Sequence, residues 1–156
     1  MEVTIRDIVE SDYPAVEALI RQLHGFHAAL RPDVFTPAFT YDREGEFLPC
    51  LAANGGMALL ALVEGRPVGA CMGCVRDRED GTLGRYRECH ISDLVVETAF
   101  RRQGIAAALM ARAEERAMAL GAERVSLTLW RFNAGARSLY EELGYEELWS
   151  WMEKKL

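Results

Sequence analysis

The sequence lacks the long apolar segments and the basic surface that membranes and nucleic acids require. Its longest apolar runs, residues 57–63 and 68–75, are far shorter than the roughly 20 residues of a membrane-spanning helix. There are 18 Lys and Arg against 24 Asp and Glu, and a net charge of −6 disfavours nucleic acid as a partner. The first residues, Met-Glu-Val-Thr-Ile-Arg, also lack the basic start and apolar centre of a signal peptide. We therefore expect a cytoplasmic protein with no membrane or nucleic-acid partner.

Cysteine and histidine are also few, with four Cys and three His in 156 residues. Cys71 and Cys74 form a C-x-x-C pattern, but on a strand a separation of three directs the two side chains to opposite faces. His24 and His27 lie near Asp33 without a third ligand at a familiar metal-site spacing. We therefore predict buried thiols rather than a disulfide framework or a redox site, and no metal cofactor.

The composition is that of a globular protein, with 50% hydrophobic and 27% charged residues. At this length we expect a single domain over residues 1–156. Hydrophobic periodicity gives the order β-α-α-β-β-β-β-α-β-α-β, which predicts an α/β (α+β) fold. The order corresponds to a mixed sheet of six to seven strands with about four helices on both of its faces.

The same patterns place the individual elements. Pro32 and Pro37 predict a loop with exposed aromatic residues over 24–35, where a regular helix is disfavoured. We predict a helix that begins after Ser11 and reaches His24 or beyond, and further helices at 42–53, 104–120 and 133–143. Strands are predicted at 2–7, 57–64, 67–78, 89–96 and 123–130, with one or two closing strands within 145–155.

Residues 91–110 carry the clearest functional pattern. A β-branched run passes through a short turn with Arg101, Arg102 and Gly104 and continues into an Ala- and Leu-rich helix. The first amides of a helix have no internal partners, and the helix dipole adds partial positive charge there. Glycine lets a ligand come close to the backbone. The segment therefore predicts a site for the pyrophosphate of a nucleotide-like cofactor.

The turn matches neither the P-loop pattern G-x-x-x-x-G-K-[ST] nor the dinucleotide pattern G-x-G-x-x-G. Arg101-x-x-Gly104-x-Ala106 resembles instead the acetyl-coenzyme A signature of the GNAT superfamily of N-acetyltransferases, [Q/R]-x-x-G-x-[G/A]. Residues 133–145, Asn-x-x-Ala-x-x-Leu-Tyr-x-x-x-Gly-Tyr, are similar to the second coenzyme segment of that family. The two signatures have the family's order and spacing, so the resemblance extends over the whole chain.

The resemblance implies a mostly antiparallel, twisted sheet whose central strands splay apart around the thioester of acetyl-coenzyme A. It implies an N-acetyltransferase in which a primary amine attacks the thioester directly through a tetrahedral intermediate. The strand backbone, the turn and the second segment would bind the coenzyme. The implied contacts are Leu94, Val95, Val96, Arg101, Arg102, Gln103, Gly104, Ile105, Ala106, Ala107, Asn133 and Tyr140.

Acetyl transfer needs a deprotonated amine and a proton for the departing thiolate. Asp93, on the central strand, is our candidate base or water-positioning group, with His90 and Glu88 in reserve. The alternative for Asp93 is a structural carboxylate that binds backbone or an arginine. Tyr140 would be the general acid, which requires either that the site lower its pKa or that the proton come from the amine. We expect a backbone N–H near Val95 to hold the oxyanion.

The acceptor is expected to be a small primary amine, such as an amino acid, a polyamine or an aminoglycoside-like compound. His27, Phe35 and Trp130 are the candidate substrate contacts, because bulky aromatic loops favour a closed pocket. Two alternatives stay open: a protein N-terminal or lysine acetyltransferase, and a non-catalytic acyl-coenzyme A-binding module. Trp149 and Trp151 would form either a homodimer surface or part of the core.

Overall fold

One five-stranded sheet organises residues 2–36 and 55–156, which are the residues that the computed structural model of the chain describes. Adjacent strands in the sheet follow the order β1 to β5. The first four pair antiparallel and β5 pairs parallel to β4, so the sheet is mixed, as predicted. The strands are β1 (Val3–Asp7), β2 (Gly56–Val63), β3 (Arg66–Asp80), β4 (Leu83–Val96) and β5 (Arg124–Leu127).

Helices cover both faces of this sheet. Helix α2 (Ile105–Ala119) buries Leu109, Ala113 and Ala117 on one face, and α1 (Tyr13–Leu30) buries its own apolar stripe on the other. Strand β2 is apolar along its whole length because its two faces enter the two cores. The third helix, α3 (Ala134–Glu142), begins directly after Asn133. Its bounds and those of α2 lie within one residue of the predicted ones.

Helix α1 is longer than the proline positions suggested. It runs on through His24 and His27 to Leu30, so the predicted loop over 24–35 is wrong for its first seven residues. Pro32 follows the last helical residue by two positions and therefore removes no hydrogen bond from the helix interior. The extension places His27 and its neighbours on a rigid helix rather than on a loop.

The predicted six to seven strands are wrong for residues 2–36 and 55–156, which hold five strands. These residues hold three α-helices of the four predicted. Residues 145–156 form no strand, because β5 ends at Leu127 and offers too short a neighbour. Ion pairs hold this segment instead, including Arg31 to Glu153 at 2.7 Å. Trp149 and Trp151 are 68% and 82% exposed, which excludes them from the core of this chain. The predicted helix 42–53 lies outside the described residues.

Cys71 and Cys74 lie on opposite faces of β3, as the odd spacing predicted. Cys71 is buried and Cys74 is exposed, so the prediction of buried thiols is wrong for Cys74. Burial raises the pKa of Cys71 to about 12 and that of Cys89 to about 11. In the part of the chain with described coordinates, no three His, Cys, Asp or Glu side chains are grouped as metal ligands. No helix there has the length and hydropathy needed to cross a membrane.

Strands β4 and β5 stop pairing about halfway along β4. Their parallel pairing ends at Ile91 and Leu127, whereas β4 continues to Val96 beside β3. A bulge at Ser92 lies at the same point, where the register with β3 shifts. The two central strands therefore splay, and a cleft opens between them.

Candidate active site

The cleft has a volume of about 450 Å³ and is lined by α1, β4, the turn before α2, the end of β5 and α3. It brings together most of the residues predicted from the sequence. Those that line it are His27, Asp93, Leu94, Val95, Val96, Arg101, Arg102, Gly104, Ile105, Ala106, Ala107, Trp130, Asn133 and Tyr140. Gln103 and Phe35 do not line it. Gln103 instead donates to the carbonyl of Ala99 at 3.3 Å.

The free edge of β4 offers backbone groups to the cleft. The N–H of Glu97 donates to Val68 on β3 at 2.8 Å, so the antiparallel alternation directs residues 93 and 95 toward β3 as well. The backbone groups of Leu94 and Val96 consequently point into the gap that β5 leaves. The expected oxyanion donor near Val95 is therefore the N–H of Leu94 or Val96, and the N–H of Val95 itself is directed away.

The turn before α2 has the backbone form of an anion cradle. Gly104 has φ +81° and Arg102 φ +62°, and a side chain at Gly104 would project into open space. The first helical bond of α2 runs from Ala108 to Gly104, which leaves the three preceding amides without helical partners. These amides belong to residues that line the cleft, so a pyrophosphate group fits here.

Arg101 is already engaged within the turn. Its Nε donates to the carbonyl of Val96 at 3.0 Å, which fixes the turn against the end of β4. Arg102 lies one residue further along, exposed and in the left-handed conformation. Of the two arginines, Arg102 is therefore the better placed to neutralise a bound phosphate.

Asn133 performs two tasks with one side chain. Its Oδ1 accepts a hydrogen bond from the N–H of Ala136 at 3.1 Å and caps the N-terminus of α3. This bond identifies the amide oxygen, so both N–H donors of the side chain remain for the cleft. A carbonyl of a pantetheine arm is a suitable acceptor for them.

Asp93 lies in the cleft beside His27. Burial raises the pKa of its carboxyl, although the Ser92 hydroxyl and His27 oppose that rise. Among the residues that the structure describes, no arginine pairs with Asp93. The alternative of a structural carboxylate bound to an arginine is therefore not observed there. A half-buried carboxylate with a raised pKa at the edge of a cleft is a good proton acceptor.

Tyr140 lines the cleft from α3 and packs against Tyr145, with 5.8 Å between ring centroids. Burial and the nearby Cys71 raise the pKa of its phenol to about 12. Of the two alternatives given for Tyr140, this leaves the one in which the proton comes from the amine. A thiol has a pKa of about 8.5, so transfer of the phenolic proton to a thiolate is uphill by roughly 5 kcal/mol. Tyr140 therefore supplies that proton at lower cost if another group gives it one in return.

The reserve bases, His90 and Glu88, lie outside the cleft in a polar cluster. Glu88 is only 3% exposed, binds Arg76 at 3.0 Å and accepts from the Ser126 hydroxyl at 3.1 Å. Ser126 in turn contacts His90 Nδ1 at 3.0 Å. Burial and Arg76 lower the pKa of His90. The cluster connects β3, β4 and β5 just before the strands splay.

Five aromatic side chains form what we call the aromatic wall: Phe26, His27, Phe35, Trp130 and Phe132. Phe35 lies 5.2 Å from His27 and 5.0 Å from Trp130, so the three predicted substrate contacts do meet. Trp130 stacks on Phe132 at 5.8 Å. Phe26, His27 and Trp130 face the cleft, and the other two lie behind them.

Sequence reasoning missed Phe26 and Phe132, along with several apolar lining residues. The signal for them was weak, because a half-buried aromatic residue on a helix end or a turn has no motif. Their role follows only once α1 is seen to approach the turn after β5. Two further lining residues, Ala136 and Leu139, belong to the predicted coenzyme segment. The missed residues that line the cleft are Leu23, Phe26, Ile91, Ser92, Phe100, Leu127, Thr128, Leu129, Gly135 and Glu142.

Comparison with known proteins gives one family and many structures. The sequence profile of the acetyltransferase (GNAT) family matches residues 16–145. A tetramutant of the BH1408 protein from Bacillus halodurans has a TM-score of 0.89 at 23% identity, over 98% of this chain and 99% of that one. No curated protein sequence matches the chain.

Two aminoglycoside acetyltransferases are also similar in structure. AAC(6')-Iy, solved with the bisubstrate analogue CoA-S-monomethyl-acetylneamine, has a TM-score of 0.80 at 16% identity and covers 100% of this chain and 99% of its own. The enzyme meta-AAC0020 from an uncultured soil metagenomic sample, solved with sisomicin, has a TM-score of 0.74 at 22% identity over 99% and 96%. At these identities the similarity demonstrates a common fold.

Proposed function

Because the chain belongs to the acetyltransferase (GNAT) family, we propose that it transfers the acetyl group of acetyl-coenzyme A to a primary amine of a small molecule. The observation that supports this most is the cleft at the β4–β5 gap, where the turn amides, Asn133, Tyr140 and Asp93 line one space. The similarity in fold to AAC(6')-Iy, a protein solved with a coenzyme A conjugate, agrees with this proposal. We also propose that residues 1–156 form a single domain of this kind.

The chain offers groups that suit the pyrophosphate and the pantetheine arm of acetyl-coenzyme A, which supplies an activated acetyl thioester when bound. The amides of Ile105, Ala106 and Ala107 would hold the pyrophosphate, with Arg102 balancing its charge. The exposed edge of β4 at Leu94 and Val96 would pair with the pantetheine arm as an added strand does. The N–H donors of Asn133 would bind a carbonyl of the same arm.

Two side chains, Asp93 and Tyr140, carry the proton transfers that we propose. A lysine-like amine, with a pKa near 10.4, needs about 4.6 kcal/mol for deprotonation at pH 7. Asp93 provides an acceptor for this proton inside the cleft, and the raised pKa of its carboxyl makes it a stronger base than an ordinary aspartate. A nitrogen–carbon bond then forms and the carbon–sulfur bond breaks, with its electron pair going to sulfur.

Of the two protons that the ammonium group loses, one leaves through Asp93 to water and the other neutralises the sulfur. We assign the second transfer to Tyr140 as a relay. Its phenol, with a pKa of about 12, gives a proton to sulfur while it takes one from the acylated nitrogen. The high pKa keeps Tyr140 in the protonated form that the relay needs throughout the physiological range.

A coenzyme-release assay against a panel of amines and peptides tests the proposed function. We expect turnover of at least one small primary amine, with kcat lost in Asp93→Asn and acetyl-coenzyme A affinity kept. Turnover of peptides alone would favour a protein acetyltransferase. Tight coenzyme binding without any turnover would favour a non-catalytic module and refute the proposal.

We further propose that a second copy of the chain covers the exposed apolar side chains of the last twelve residues. Leu148, Trp151 and Met152 are 81%, 82% and 91% exposed, and such a cluster is rare on a monomer surface. Size-exclusion chromatography with light scattering measures the oligomeric state directly. A wild-type dimer that becomes a monomer on Trp151→Ser would support the proposal, and a wild-type monomer would refute it.

A further inference from the structure

The aromatic wall is built differently from the rest of the cleft. Its members come from the last turns of α1, from the segment after α1 and from the turn after β5. All five are half-buried rather than fully buried, so part of their apolar surface is accessible to a ligand. Three of the rings present their surface to the cleft beside Asp93.

His27 is held in a fixed orientation within the wall. Its Nδ1 lies 2.9 Å from the carbonyl oxygen of Leu23, which can only accept a hydrogen bond, so Nδ1 carries the proton. The ring therefore presents Nε2 and its flat face to the surroundings, in edge contact with Phe26 and Phe132. A rigid ring loses little entropy when a ligand packs on it.

Carboxylates are few along the part of the cleft lining that the structure describes. Among the described residues that line the cleft, only Asp93 and Glu142 carry negative charge, and only Asp93 interacts electrostatically with a member of the wall, His27. An acceptor with several ammonium groups needs several carboxylates, because each buried charge must be compensated. The described part of the cleft therefore suits a single cationic group.

We propose that the acceptor is an arylalkyl primary monoamine, whose ring stacks on Trp130 and His27 while its ammonium group binds Asp93. This inference rests on the proposed function and narrows its substrate class. The wall supplies offset and edge contacts to an aromatic ring, and its faces attract the nearby ammonium group. Phe35 and Phe132 hold Trp130 and His27 in position from behind.

The test compares four acceptors in the coenzyme-release assay: 2-phenylethylamine, 2-cyclohexylethylamine, spermidine and sisomicin. The first two differ in aromaticity and little in size. An aromatic contact predicts that kcat/KM for 2-phenylethylamine exceeds that for 2-cyclohexylethylamine by about 2-fold to 12-fold. We expect both polycations to fall at least tenfold below 2-phenylethylamine.

Two matched variants test whether the preference for the phenyl over the cyclohexyl amine depends on the aromatic wall. Trp130→Leu keeps an apolar side chain but removes the ring, so the ratio between the phenyl and cyclohexyl amines should fall to about one. Trp149→Leu makes the same change at an exposed site outside the cleft and should leave the ratio unchanged. If Trp130→Leu does not fold, the ratio of kcat/KM for the phenyl and cyclohexyl amines in the wild type still tests the proposal.

The outcomes separate the two proposals. Equal or faster turnover of spermidine or sisomicin would overturn the arylalkylamine assignment and leave the acetyltransferase in place. A phenyl-to-cyclohexyl ratio of one in the wild type would also overturn it. Failure to turn over any amine, despite acetyl-coenzyme A binding, would overturn the proposed function and this inference together.

Discussion

Replacing Tyr140 with phenylalanine removes one oxygen atom from the cleft and keeps the ring that packs against Tyr145. Among the described residues the hydroxyl has no hydrogen-bond partner, so its loss leaves no buried group unsatisfied. We therefore expect a melting temperature and a coenzyme dissociation constant close to those of the wild type. Any loss of turnover can then be attributed to the chemistry rather than to folding.

The size of the loss follows from the pKa of the phenol. At about 12 it lies roughly 3.5 above that of a thiol, so direct protonation of sulfur costs about 5 kcal/mol, a cost that the proposed relay avoids. General acid–base groups contribute about 10²-fold to 10⁴-fold, and we expect Tyr140→Phe to lower kcat by ~10²-fold or more. The relay also predicts that Tyr140 produces no alkaline fall in kcat below about pH 11.

The assay is the kcat–pH profile of wild type, Tyr140→Phe and Tyr145→Phe, with acetyl-coenzyme A binding measured by calorimetry. Tyr145 is the matched control, because its hydroxyl donates to Glu114 at 2.8 Å and it does not line the cleft. A Tyr140→Phe variant that keeps most of its kcat would remove Tyr140 from the relay. An alkaline limb near pH 8 to 9 that vanishes only in that variant would refute the raised pKa.

Three further changes test other parts of the site. Asp93→Asn should abolish most turnover yet raise the melting temperature at pH 7. The folded-state pKa of Asp93 lies above its unfolded value, so its ionisation opposes folding as pH rises through that window, and the gain should vanish near pH 3; equal melting curves at pH 7 would contradict this. Gly104→Ala should lower the free energy of unfolding by about 1 kcal/mol, because φ is +81°, and should weaken acetyl-coenzyme A binding in calorimetry; unchanged binding would show that the cradle is unused. Asn133→Ala should lose about 1 kcal/mol of stability with its cap, whereas Asn133→Asp keeps the cap but not the N–H donors. Wild-type coenzyme affinity in Asn133→Asp would exclude those donors from the contact.

The local part of the site could be predicted from the sequence. Gly104 and Asn133 act through their own backbone or the next helical turn, so a short motif is enough to identify them. The splay of β4 and β5 followed from the family resemblance. These features depend on neighbours along the chain or on a shared fold, and both leave a trace in the residue pattern.

The remaining features depend on contacts between distant segments. The rise in the pKa of Tyr140 comes from burial and from Cys71 on β3, and no property of residues 133–145 reveals it. Phe132 becomes part of the aromatic wall only because α1 continues to Leu30. The prediction of closing strands within 145–155 was wrong, because an extended segment becomes a strand only where a neighbour is present to pair with it, and β5 ends at Leu127.

The polar cluster around Glu88 has a consequence for how the cleft meets its ligands. It clamps three strands together immediately before the point where β4 and β5 diverge, and removing one partner from such a cluster is costly. The gap between β4 and β5 is therefore held open before a ligand binds, and the ligand does not have to separate the two strands. When a thioester binds in this gap, none of its binding energy is used to separate the strands. That energy remains available to align the reacting atoms. Loosening the clamp with Ser126→Ala would slow catalysis from outside the cleft.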